Sequence, residues 1–180
     1  MTATWLKVLD GSALSPGDVS TAIAEGMAQA KVLRIVGLRP PGDPLRFWWT
    51  AGEVMGAHAQ VLESSDGKVV PAGAGWMDVR FEPDRLDTYR HANVGQSLHT
   101  DGAYFDDKQD IGLFFLERQA DSGGESLFVD ADTIAERLAK VDPDLLERLT
   151  TTIVRFGKGE EMGRVSPILY RKAGRSKINW

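Results

Sequence analysis

Apolar residues at Val19, Ala22, Ile23, Met27 and Ala30 recur at the three- and four-residue spacing of one helical face. Ser15-Pro16-Gly17-Asp18 stands just before them with a capping hydroxyl, a proline suited to a first helical position and an acid three residues after the serine. The pattern predicts a helix over about 16–30. Leu45 to Leu62 reads as a second helix, with Trp48, Trp49, Met55 and Ala59 toward a core. Farther on, Asp130 or Asp132 is placed to cap a third helix, and Asp142 followed by Pro143 a fourth.

Other stretches follow strand logic. Lys31 to Gly37 is a short β-branched run ended by the breaker Arg39-Pro40-Pro41-Gly42-Asp43, as expected of a buried strand. Trp76 to Glu82 is a further strand candidate, after a glycine-rich connection from Ser64 to Gly75. Ile111-Gly112-Leu113-Phe114-Phe115-Leu116 is too continuously apolar for a strand with one wet face, so it is expected to be buried on both sides. Asp121-Ser122-Gly123-Gly124-Glu125 signals a turn, with Ser126 to Val129 as the returning strand. Thr150 to Phe156 reads as a strand, and Ser166 to Trp180 as strand, turn, strand. No repeat, low-complexity stretch or linker interrupts the pattern, so residues 1–180 are expected to form one domain, with helices buttressing a β-rich remainder.

Composition narrows the partners. Lysine and arginine number 21 against 26 aspartates and glutamates, a formal net charge of −5. Without a basic run, neither nucleic acid nor an anionic membrane is an expected partner. The absence of cysteine removes disulfides and thiolate chemistry, so a metal would have to sit on histidine, carboxylate or water. The first residues lack a basic stretch followed by a long apolar one, and no apolar run reaches the length that spans a bilayer. A soluble, cytoplasmic protein is the expectation.

Candidate chemistry is concentrated in Ser97-Leu98-His99-Thr100-Asp101-Gly102. On a strand, His99 and Asp101 would point to the same face and Thr100 to the other, so one cation could touch both. One imidazole nitrogen and one carboxylate oxygen suit ferrous iron when a second histidine completes a facial triad, which leaves three positions open. Asn93, Gln96, Tyr104 and Phe105 flank the pair as candidate pocket residues. A hydroxyl at Ser126, after a glycine turn, is either a carboxylate donor or simply a cap on the turn.

Leu98-His99-Thr100-Asp101-Gly102, the apolar stretch from Ile111 and Ser122-Gly123-Gly124-Glu125-Ser126-Leu127-Phe128-Val129-Asp130 together resemble the core of the taurine dioxygenase (TauD/TfdA-like) group of iron(II)/2-oxoglutarate oxygenases. The resemblance spans about residues 15–180, with its strongest motifs between 97 and 132. It implies an α+β, mainly β fold: a double-stranded β-helix, or jelly roll, with N-terminal buttressing helices. It implies that His99 and Asp101 bind Fe(II), that Ser126 contacts the carboxylate of 2-oxoglutarate, and that a small molecule is oxidised.

The same resemblance implies a second metal histidine and a carboxylate-binding arginine far beyond Asp101. No histidine follows His99. His58 and His91 are expected at the surface, and Arg155, Arg164, Arg171 and Arg175 are late arginines outside the family's arginine motif. The jelly roll is therefore expected to be incomplete and to lack its C-terminal part. A homo-oligomeric or heteromeric partner, or further sequence, would supply the missing strands and ligand. The alternative is a non-catalytic structural or regulatory subunit of an active homologue. A zinc hydrolase is a third reading, without the helical HExxH pattern that would support it.

Overall fold

The computed structural model describes residues 4–58, 76–86, 89–105, 108–158 and 162–180. By internal packing the chain divides into two units: Met1–Asn93 with Leu113–Glu117, and Val94–Gly112 with Arg118–Trp180. Among the described residues, no helix is long and apolar enough to cross a membrane.

The first unit is built on β1 (Thr4–Asp10), α1 (Val19–Gln29), β2 (Ala30–Val36) and α2 (Pro44–Gly52). β1 and β2 run parallel, with Leu6 opposite Val32 and Val8 opposite Arg34. Parallel neighbours cannot be joined by a tight turn, and α1 serves as the crossover. That helix starts at Val19, later than the 16–30 pattern suggests, because Ser15 does not cap it. The Ser15 hydroxyl instead donates to the Asp18 carboxylate at 2.6 Å, and residues 16–18 form a turn. Asp43 caps α2 by accepting from the Leu45 amide at 2.9 Å, with Pro44 in the first turn.

Val19, Ile23, Trp48 and Ala51 form the buried centre of this unit. Met27, Leu33, Ile35, Phe47, Trp76 and Phe115 are among the partly buried residues packed around it. Phe47 meets Trp48 edge-on with ring centroids 5.4 Å apart, and Phe115 lies 6.2 Å from the same indole. The expected helix over 45–62 is shorter than its pattern: α2 ends at Gly52, a 3-10 turn covers Glu53–Met55, and residues 56–58 are not helical. Ala59 and the glycine-rich connection lie outside the described residues.

The second unit contains α3 (Ala131–Val141), α4 (Pro143–Thr151), the antiparallel pair β3 (Ile153–Lys158) and β4 (Met162–Pro167), and the hairpin β5 (Leu169–Lys172) and β6 (Arg175–Ile178). Both helix starts follow the sequence signals. Asp130 accepts from the Thr133 amide at 3.3 Å, and Asp142 from the Leu145 amide at 2.9 Å with Pro143 following. The β5–β6 turn is Ala173-Gly174, with φ of 50° and 78°. Two consecutive left-handed residues match the right-handed twist of a two-residue hairpin.

Three strand expectations are overturned. Residues 76–82, 111–116 and 126–129 carry no strand. The 76–82 segment makes isolated links instead, with the Arg80 amide donating to Arg90 O at 3.0 Å and the Glu82 amide to His91 O at 2.9 Å. The apolar run expected to be buried on both sides is largely exposed: Phe114 is 70% and Leu116 72% accessible. Leu127 reaches 79%. A buried strand needs neighbours on both edges, and among the described residues the strands pair only two by two, in three separate sheets. The architecture is thus mixed helix and sheet, without a closed barrel among the described residues.

Candidate metal site

His99 and Asp101 do not lie on a strand; His99 and Thr100 are irregular and residues 101–104 form a turn. The expected alternation of faces is therefore not what brings them together. The Phe105 amide donates to Gly102 O at 3.0 Å, and Gly102 sits at φ 65°. A Cβ there would come within 2.9 Å of Gln109 Oε1 and 3.1 Å of Phe105 Cδ2. Glycine is thus favoured immediately after Asp101 by its left-handed backbone, while the close atoms are side-chain ends that could shift. The turn carries the carboxylate back beside the imidazole, with Asp101 Oδ1 3.4 Å from His99 Nε2.

The imidazole is oriented by its other nitrogen. His99 Nδ1–H donates to Ser97 O at 2.8 Å. In the neutral tautomer that this bond selects, Nε2 carries the lone pair, facing Asp101, and the Gln96 side-chain amide donates to it at 3.2 Å. A backbone carbonyl holding one ring nitrogen so that the other can ligate is the usual outer support of a metal-binding histidine. Bonds of about 2.0–2.2 Å from nitrogen and oxygen to a first-row metal put two adjacent donors roughly 3 Å apart. The observed separation needs only a small closure to reach that. The imidazole is partly exposed and the carboxylate largely so, leaving room for further ligands.

Thr100, between the two, is fixed to Trp180. Its amide donates to Trp180 O at 3.0 Å, and the Trp180 amide donates to Thr100 Oγ1 at 3.1 Å. Asn179, with 0% of its surface accessible, anchors the neighbouring position. Its amide donates to Ile168 O at 2.8 Å, and its side-chain Nδ2 to Ser166 Oγ at 2.7 Å. Lys108 Nζ donates to its Oδ1 at 2.7 Å. Half-burial pushes the Lys108 amine below its ordinary value, Arg164 and Lys177 add to that effect, and Asp101 opposes it. Residue patterns gave no warning of Lys108, Asn179 or Trp180, because these contacts join segments 71 to 80 positions apart.

Other candidates are distributed differently. Ser126 follows Gly123 and Gly124, which are left-handed at φ 77° and 78° in a stretch that bends at 121–122 but returns no strand. It is exposed. Among the late arginines, Arg164 lies over the Tyr170 ring at 5.5 Å and Arg171 Nη2 donates to Gly174 O at 2.5 Å. Arg155 packs its guanidinium over Gly163. The Tyr104 and Phe105 rings meet at a 56° tilt, with centroids 4.6 Å apart.

The two remaining histidines correct the surface expectation. His91 is 1% accessible, with Nδ1–H directed at Arg80 O, 3.3 Å away. Its Nε2 meets no hydrogen-bond partner among the described residues. His58 is half-buried, stacks on Trp49 at 3.8 Å and donates through Nε2 to Trp49 O at 2.8 Å. Among the described residues, no group of three or more histidine, aspartate or glutamate side chains is placed to hold a metal. His99 and Asp101 are two donors of an unfinished set.

Comparison with known proteins gives two matches. A family model described as "Taurine catabolism dioxygenase TauD, TfdA family" matches residues 8–176. Over 94 residues the chain is 35% identical to a trimethyllysine dioxygenase of Meyerozyma guilliermondii, covering 52% of this chain and 23% of that relative. The chain therefore matches less than a quarter of the relative's length. No solved structure matches.

Proposed function

Because the chain belongs to the TauD/TfdA dioxygenase family, we propose that it is the iron- and 2-oxoglutarate-binding part of an oxygenase acting on a small molecule, with His99 and Asp101 as two ligands of Fe(II). The observation that carries the reading is the 3.4 Å approach of Asp101 Oδ1 to an imidazole nitrogen whose partner nitrogen is bonded to a backbone carbonyl. With His99 in the neutral tautomer these are two acceptor atoms facing each other, an arrangement that a cation between them satisfies. Ferrous iron with bound 2-oxoglutarate would couple decarboxylation of the co-substrate by dioxygen to oxidation of an organic substrate.

The chain's own residues bind and orient. Ser97 O holds the His99 ring, and the Gln96 amide would have to leave Nε2 for that nitrogen to ligate a metal. Asp101 neutralises part of the metal's charge from the turn fixed by Gly102. The Ser126 hydroxyl donates to a carboxylate of 2-oxoglutarate, the glycine turn letting the ligand come close to the backbone. The fold on this reading is a single-domain jelly roll short of its C-terminal part. A second polypeptide, another copy of this chain or further sequence supplies the third ligand and covers the exposed apolar segments 111–116 and 126–129. The exposure of those apolar segments supports that division.

A second reading, a non-catalytic subunit of an active homologue, is favoured by one observation: the described residues bring only two metal donors together. Turnover separates the two. In the active assembly His99→Ala and Asp101→Ala each abolish consumption of 2-oxoglutarate, whereas full consumption in both variants would overturn the metal assignment. The purified chain alone consumes none. A compact monomer that turns over 2-oxoglutarate at enzymatic rates would refute the need for a partner.

A further inference from the structure

Resting on the reading of His99 and Asp101 as metal ligands, we propose that Thr100 is a positioning residue: its hydroxyl and amide lock the strip between the two ligands onto Trp180. His99 and Thr100 are irregular and Asp101 opens a turn, so no sheet ladder fixes the angle at which the two side chains meet. What fixes it is a pair of reciprocal bonds, beside which the Thr100 hydroxyl also donates to Trp180 O at a longer 3.5 Å. Thr100 N–H donates to Trp180 O at 3.0 Å, and Trp180 N–H donates to Thr100 Oγ1 at 3.1 Å. The second bond uses the side chain of the residue between the ligands, so it depends on a hydroxyl at position 100 and on an N–H at position 180.

The anchor is itself immobilised. Asn179 is fully buried and bonded to Ile168 O, Ser166 Oγ and Lys108 Nζ, which ties Trp180 to the end of the β5–β6 hairpin. A loop carrying two metal donors thereby takes its rigidity from an element about eighty positions away in sequence. Donors held near their bound geometry lose less conformational freedom when the cation arrives, and the gain appears as affinity.

The test uses the full chain and cobalt(II) as the metal probe, followed through its visible spectrum. Thr100→Val keeps the shape and removes the acceptor, and is expected to bind cobalt(II) roughly three- to tenfold more weakly than the parent, the size of one lost hydrogen bond. Thr100→Ser restores the hydroxyl and the affinity. Trp180→Pro, which lacks the N–H, binds more weakly than Trp180→Ala, which keeps it. The double variant Thr100→Val/Trp180→Pro is no weaker than the poorer single variant, because both remove the same bond. In the metal-free protein, hydrogen exchange at the Trp180 amide accelerates in Thr100→Val and not in Thr100→Ser.

Parent-like affinity and exchange in Thr100→Val, or failure of serine to restore them, overturns the lock. His99→Ala serves as the separate control. If it binds cobalt(II) as the parent does, the metal assignment fails; if it loses binding while Thr100→Val does not, the assignment stands and only the lock is lost.

Discussion

Replacing Asn179 by alanine should cost the second unit about 2–4 kcal/mol, a large share of the stability of an ordinary domain. The side chain is completely buried and makes two bonds of different character. Its Nδ2 donates to Ser166 Oγ at 2.7 Å, a neutral bond whose loss costs about 0.5–1.5 kcal/mol. Its Oδ1 accepts from the Lys108 ammonium at 2.7 Å, a charge-assisted bond worth about 1.5–3 kcal/mol, of which the lower part applies because Lys108 is only half-buried. Asn179→Asp separates the two contributions: it keeps an oxygen for Lys108 and removes the donor to Ser166, so it should lose less than alanine does. The assay is urea unfolding followed by far-UV circular dichroism, comparing midpoints at unchanged slope. An Asn179→Ala midpoint equivalent to within about 0.5 kcal/mol of the parent, the range of ordinary surface substitutions, would refute the account of this network.

Three further outcomes are expected. Ala173 holds a left-handed conformation at φ 50°, so Ala173→Gly should raise the thermal midpoint by the equivalent of up to about 1 kcal/mol; an unchanged or lower midpoint would count against the turn assignment. Glu82 is held below its ordinary value of 4.5, chiefly by its hydrogen bond from Arg80, so it stabilises the fold above that pH and the contribution is lost as pH falls through the lowered folded value. Glu82→Gln should flatten the acid limb of the stability profile from about pH 4.5 downward, and an identical limb in parent and variant would contradict the assignment. Ser126→Ala should raise the 2-oxoglutarate requirement of the active assembly roughly tenfold, the loss of one bond to a charged carboxylate, while Ser126→Thr is tolerated. An unchanged requirement in the alanine variant makes Ser126 a turn residue only.

The parts of this fold legible in the sequence are those decided within a few residues. Asp130, and Asp142 with Pro143, announce α3 and α4 because a cap and its orphan amides are neighbours in the chain. The stretch from Ser166 to Trp180 likewise reads as strand, turn, strand, and the β5–β6 hairpin lies within it. The strands expected at 111–116 and 126–129 were not decidable that way, since hydrophobicity says that a segment wants neighbours and not where they come from. β1 is not announced locally either: its register with β2 is set across a helix. His91, placed at the surface by its polar surroundings, is buried through bonds that link residues 80 and 82 to 90 and 91.

At the candidate site, the proximity of His99 and Asp101 was readable, but the reason for it was not. Alternation along a strand and a glycine turn both bring positions i and i+2 to one side, and Gly102 at φ 65° shows that the turn operates here. The hold of Trp180 on Thr100 lay beyond sequence reasoning, since nothing in either neighbourhood refers to the other across 80 positions.

The central claim, that His99 and Asp101 share one ferrous ion, is tested most directly by adding iron(II) and then 2-oxoglutarate anaerobically to the parent chain, His99→Ala and Asp101→Ala. The readout is the visible charge-transfer absorption that a 2-oxo acid gives when it chelates protein-bound ferrous iron. The parent should develop the absorption in a saturable way, and both variants should fail to do so while keeping the parent's far-UV circular dichroism. Equal absorption in the parent and either variant would place the iron elsewhere and contradict the account.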